Sequence, residues 1–241
     1  MTTKTKAIVL HTVKFGDNKL IIDFYTEAMG RLSFVVRISK SAKAKMKRQY
    51  FQPLAILNIE FDYRAKASLQ QLKDAYVAVP YADIPVSPYK ITIALFLSEF
   101  LTYSTRNEQA NAPLFLFLQQ SMEWLDTSTA NFSNFHIVFM VKLTIFLGIY
   151  PNLSDDAEES VFDLQEGKFV PHVPLHGDHI SGTDTCRLKA LMRLSYQTMH
   201  LYTMSHQERN MCVEMILRYY RLHLPAFPEM KTLSVLKELF A

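Results

Sequence analysis

Three prolines within nine residues, Pro80, Pro85 and Pro88 in the stretch VPYADIPVSP, divide the chain into two parts with different hydrophobic periods. Ahead of them apolar residues alternate with polar ones, as in half-buried strands; behind them they recur at spacings of three and four, as on helices. Proline interrupts both kinds of backbone ladder, so the change of period marks a junction. A chain that runs strands first and helices second is of the α+β class, and 241 residues are enough for two modest domains. The sequence therefore predicts a β domain over 1–80 and a mainly α-helical domain over 81–241.

In the first part, Lys6 to Phe15, Lys19 to Glu27 and Arg31 to Ile38 are β-branched and aromatic runs separated by Gly16-Asp17-Asn18 and by Met29-Gly30. That reads as three strands joined by hairpin turns. After Pro53, Leu57, Ile59, Phe61 and Tyr63 alternate with Asn58, Glu60 and Asp62 to give a fourth strand. Arg64 to Ser68 makes a polar turn, and Leu69 to Val79 a fifth strand. Five short strands at this spacing match a five-stranded β-barrel of the oligonucleotide-binding (OB) kind, with an SH3-like barrel as the alternative. The second part reads as helices over Tyr89 to Thr105, Ala112 to Leu125 and Asn134 to Tyr150, followed by an irregular insertion over 151–182. That insertion holds a hairpin turning at Glu166-Gly167 and the loop HVPLHGDHISG. Helices resume over Asp184 to Leu201, from a Ser205/Glu208 capping box to Leu224, and over Met230 to Phe240.

Charge follows the same division. Residues 1–80 carry 14 Lys and Arg against 6 Asp and Glu, whereas 81–241 carry 12 against 17. A first part of net +8 beside a second of net −5 points the first towards a polyanion, because cations gain affinity by releasing counterions from phosphates. The richest run, Arg37 to Phe51, holds Arg37, Lys40, Lys43, Lys45, Lys47 and Arg48 without an acid and reads as a loop held in water by its own repulsion. Tyr50 and Phe51 end it, either as stacking faces for bases or as core at a strand entrance.

Other chemistries find little support. His172, His176 and His179, with Asp178 and Cys186, are ligand types, but their spacing matches no zinc motif. The six glycines are too dispersed for a phosphate-cradling loop, and Asp155, Asp156, Glu158 and Glu159 read as a helix start rather than an acid and base pair. An enzyme is not expected, nor a cofactor. Two cysteines cannot build a disulfide framework, and Glu99 and Lys142 interrupt the longest apolar runs, so a cytoplasmic protein is expected.

TKAIVLHTVKFGDNKLIIDFYTEAMGRLSFVVRISKSAKAK and QPLAILNIEFDYRAKASLQQLKDAY closely resemble the amino-terminal barrel of the bacterial RecO family of recombination mediators. FLFLQQSMEWLD, FHIVFMVKLTIFLGIYPNL and LRYYRLHLPAFPEMKTLSVLKELF resemble its helical domain, so the likeness covers nearly the whole chain. The resemblance implies a non-enzymatic, nucleoid-associated DNA repair protein with an OB-fold barrel, which binds single- and double-stranded DNA and anneals complementary strands. It also implies three partners: RecR, the acidic C-terminal tail of single-stranded DNA-binding protein, and, functionally, RecA. Many members carry a four-cysteine zinc site after a segment like GIYPNL; here SDDAEES follows with no cysteine, so a zinc-free version is expected.

The residues expected to neutralise DNA phosphates are Lys14, Lys19, Arg31, Arg37, Lys40, Lys43, Lys45, Lys47, Arg48 and Arg64. Lys142, Arg187, Arg193 and Arg218 are helix-borne candidates for the acidic tail, each equally readable as an ordinary surface cation. Alternatives are an OB-fold RNA-binding module, a metal-dependent hydrolase at His172, His176 and His179, and a purely structural interaction protein.

Overall fold

The computed structural model describes residues 2–38, 46–153 and 161–239. They divide into two compact units, the first running to Thr127 and including Met230–Leu239, the second Ser128–Glu229. Among the described residues no helix is long and apolar enough to cross a membrane.

Five strands build the first unit's barrel: β1 (Thr2–Lys14), β2 (Lys19–Thr26), β3 (Gly30–Arg37), β4 (Ile56–Asp62) and β5 (Leu69–Val79). Their order around the barrel is β1-β2-β3-β5-β4, closed by antiparallel pairing of β1 with β4 and a short parallel pairing of β3 with β5. Closure removes the free edges that strands of this length would otherwise present. The alternation read in the sequence fills the interior: Leu20, Ile22 and Phe24 of β2, Phe34 and Val36 of β3, and Leu57, Ile59 and Phe61 of β4. Tyr63 falls beyond β4 and is 40% exposed. Phe34 packs edge-on against both Phe24 and Phe61, at 5.5 and 4.8 Å between ring centroids. Phe51 closes the mouth of this cluster and is buried, so the core reading of that aromatic is the one realised.

Gly30 ends the β2–β3 turn at φ +68°, and a Cβ there would stand 2.4 Å from the Gln109 carbonyl carbon, so this position needs glycine on two counts. A bulge at Leu10 shifts the β1–β2 register. The carbonyl it frees accepts from Ser98 Oγ at 2.5 Å and Thr102 Oγ1 at 3.2 Å, both on α1 (Pro88–Ser104). Ser87 caps α1, and Pro88 fills its first position. Ahead of it, Asp126 of α2 (Ala112–Thr127) accepts from the backbone N–H groups of Ala82, Asp83 and Ile84, which bring its pKa below the ordinary value against the opposing effect of burial. The buried Lys90 ammonium sits 2.6 Å from Asp83 and donates to the Asp126 carbonyl.

The second unit contains α3 (Phe135–Phe146), a three-stranded sheet of β6 (Val161–Asp163), β7 (Lys168–Val170) and β8 (His179–Ile180), then α4 (Thr183–Arg193) and α5 (His206–His223). The expected hairpin is β6–β7; the two residues of β8, read as loop, pair with β6. The helix expected over 184–201 stops early. Ser195 and Thr198 exchange side-chain and backbone hydrogen bonds at 3.0 and 3.2 Å, and that local competition for N–H groups ends α4 before a short 3₁₀ turn at Met199–Leu201. Gly148 at φ +70° ends α3 before Tyr150, with Ile149 N–H returning to the Thr144 carbonyl. The capping box opening α5 is present. The last helix, α6 (Leu233–Glu238), belongs to the first unit and is shorter than expected, because Lys231 and Thr232 turn their N–H groups onto the Glu99 carboxylate.

Candidate nucleic-acid interface

Strand direction sorts the ten candidate cations. β1 and β3 finish, and β2 begins, at one end of the barrel, so Lys14, Lys19 and Arg37 meet there. Lys19 stands directly opposite Arg37, and both are exposed. Like charges in that relation repel, which an anion lying across them relieves. Lys47 and Arg48 join the same end. The 3₁₀ turn Arg48–Phe51 is pinned by the Phe51 ring in the barrel interior and by Thr12 Oγ1 donating to the Phe51 carbonyl at 3.2 Å, while Lys47 and Arg48 remain exposed. None of these five makes an ion pair among the described residues, and one acid, Asp17, sits in the adjoining turn. Lys40, Lys43 and Lys45 lie outside the described residues.

Arg31 and Arg64 are elsewhere. Arg31 starts β3 at the opposite end; its guanidinium pairs with Asp23 at 3.1 Å and donates to the Thr102 carbonyl, with 16% of its side chain exposed. Burial draws its pKa down and Asp23 works against that shift. Arg64 is exposed in the β4–β5 turn, whose backbone is bracketed by the Gln70 amide. Lys4 pairs with Glu60 at 3.4 Å and Lys73 with Asp62 at 2.6 Å, a contact that with Thr2 holds the Asp62 carboxyl below its ordinary range.

Sequence reasoning missed Phe15. It follows directly on β1, beside Lys14 and Lys19, and is 54% exposed, whereas the Tyr50 and Phe51 pair is half-buried and buried respectively. The available signal was its place: an aromatic immediately before Gly16-Asp17-Asn18, at the rim of a turn, has no interior to enter.

In the second unit, Arg187 pairs with Asp184 and Glu208 and Arg218 with Asp178; Lys142 is half-buried and Arg193 exposed. His176 Nε2 lies 3.2 Å from Asp163 Oδ2, His179 Nδ1 faces the His176 carbonyl, and His172 is exposed. Among the described residues no three His, Cys, Asp or Glu side chains converge as metal ligands. The two cysteines, exposed Cys186 and buried Cys212, are free, so this donor set does not fit a four-thiolate zinc site.

Comparison with known proteins adds a name to the geometry. Residues 1–81 match the family described as Recombination protein O N terminal, and residues 86–232 the one described as Recombination protein O C terminal. The chain is 46% identical to DNA repair protein RecO of Phocaeicola vulgatus and 48% identical to that of Bacteroides fragilis, in each case over 241 residues and 100% of both chains. It is 36% identical over 246 residues to DNA repair protein RecO of Flavobacterium johnsoniae.

Proposed function

The chain belongs to the RecO family of DNA repair proteins, and from that premise we propose that residues 1–80 grip single- and double-stranded DNA through the cationic end of the barrel. The observation that carries the reading is the unpaired state of Lys14, Lys19, Arg37, Lys47 and Arg48 among the described residues, beside cations of the same barrel that are ion-paired. Contacts to phosphates carry no base information. A strand held by its backbone keeps its base edges open to a complement, and this supports strand annealing rather than bond chemistry. As a mediator, the protein would use this grip to help RecA load on strands coated by single-stranded DNA-binding protein, with RecR and that protein's acidic C-terminal tail as partners. In this reading Lys40, Lys43 and Lys45 also neutralise phosphates.

The test is annealing of complementary strands precoated with the cognate single-strand binder, comparing the intact protein with a variant in which Lys43, Lys45, Lys47 and Arg48 are alanine. Annealing is expected to fall sharply; full retention rejects the assignment. With about four to six duplex phosphates contacted, log K should fall against log salt with a slope of about −3.6 to −5.4. Affinity indifferent to salt rejects the model, and competition with RNA of equal length separates DNA from RNA binding.

A further inference from the structure

The strand register arranges a second feature beside the cations. Leu20, Ile22, Phe34 and Val36 point into the barrel, so the alternate residues of β2 and β3 face outward. On that outer face Val13 stands opposite Ile21, and Ile21 opposite Val35, forming an apolar row across three strands. One step towards the strand ends, Phe15 donates its N–H to the Lys19 carbonyl at 2.9 Å, which extends the ladder and sets Phe15 beside the Lys19–Arg37 pair. Val13 is 45% exposed, and Phe15, at 54%, is the one exposed phenylalanine among the described residues. On the far side of the row His11, Asp23 and Ser33 stand abreast; Asp23 is taken by Arg31 and by Ser33 Oγ. Asp23 is therefore neutralised, and Lys14, Lys19 and Arg37 outnumber Asp17, the one acid of the adjoining turn, beside the patch.

An aromatic face and an apolar floor bordered by two opposed cations suit an occupant with flat rings on a chain of negative charges. We infer that this patch is a base-stacking subsite for single-stranded nucleic acid, with a nucleobase against the Phe15 ring and its flanking phosphates on Lys19 and Arg37. A duplex cannot use it, since its base faces are covered by their neighbours. Stacking engages the π face and leaves the pairing edge clear, so a base held here is still available to a complement. The inference rests on the nucleic-acid reading above and adds to it a preference for unpaired bases.

The experiment measures affinity of the full chain, by fluorescence anisotropy, for a labelled oligothymidylate and for an abasic oligomer with the same number of phosphates. The wild type is expected to prefer the thymidylate by about tenfold. Phe15→Ala should abolish that preference while keeping the salt dependence of both ligands. Phe15→Trp should keep it, and its emission, read against Trp124, should be quenched by the thymidylate and not by the abasic chain. Equal wild-type affinity for the two oligomers, a preference that survives in Phe15→Ala, or unquenched Phe15→Trp on bound thymidylate overturns the subsite and leaves the phosphate grip standing. Should Phe15→Ala fail to fold, the tryptophan variant carries the test alone. Failure of the wild type to bind either oligomer at low salt removes the grip and the subsite together.

Discussion

The barrel carries two sets of cations that composition cannot tell apart. Lys4, Arg31 and Lys73 each have a carboxylate within 3.4 Å, supplied by a neighbouring strand, and on the β1–β4–β5 side the acids Glu60 and Asp62 alternate outward with Asn58. At the other end the outward position facing Lys19 holds Arg37 on one side and Phe15 on the other, so no acid stands across the ladder from Lys19 or Arg37, and Lys14 makes no ion pair among the described residues. The residue across the ladder thus decides whether a cation is ion-paired within the barrel.

Four measurements probe that contrast. Replacing Lys14, Lys19, Arg37, Lys47 and Arg48 together by alanine should lower DNA affinity at low salt by about 100-fold or more and flatten the salt slope, since each lost phosphate contact removes about 0.9 from it. Arg31→Leu should act on stability instead: the half-hidden Asp23 carboxylate loses its partner, at about 2 kcal/mol in urea denaturation, with affinity unchanged within about twofold. A loss of DNA binding like that of the first variant would erase the distinction between the two sets.

Acidification should then separate stability from binding. Burial, and after it the Arg209 charge, bring the pKa of His136 from 6.5 down to about 3. The folded chain stays neutral there while the unfolded chain takes up a proton, so this contribution is full above pH 6.5 and falls by about 1.4 kcal/mol per pH unit towards pH 3. Urea midpoints should therefore drop between pH 6.5 and 5 with little change in DNA affinity, and His136→Leu should flatten the drop. The smallest effect is expected for Lys4→Ala with Lys73→Ala: both pairs are open to solvent, so the urea midpoint should barely move and affinity should stay within about twofold.

Much of the barrel was legible because its signals are local. β5 was placed to the residue, and β2 and β3 to within one, by alternation bounded at Gly16-Asp17-Asn18 and Gly30. The end of α4 was not legible: no glycine or proline marks it, and Ser195 and Thr198 stop the helix through a mutual contact that spacing does not reveal. The candidate site was legible in part. Arg31 and Arg37 are outward basic residues of one strand, and sequence alone treats them alike. What separates them is the Thr102 carbonyl, contributed 71 residues later, and Asp23 on the adjacent strand. The hairpin register pairs Asp23 with Ser33, so that neighbour was within reach of the turn assignment; the Thr102 contact was not.

The grip of Glu99 on Lys231 and Thr232 has a consequence for how the chain is made. Those partners lie 132 and 133 residues apart in sequence, and α1, which carries Glu99, is also the helix that satisfies the bulged Leu10 carbonyl. On the ribosome the strands and α1 emerge long before the segment that completes their unit. A nascent chain therefore holds an unfinished first unit until the second has been synthesised, and a tag or deletion near Lys231 is felt at the helix on which the barrel leans.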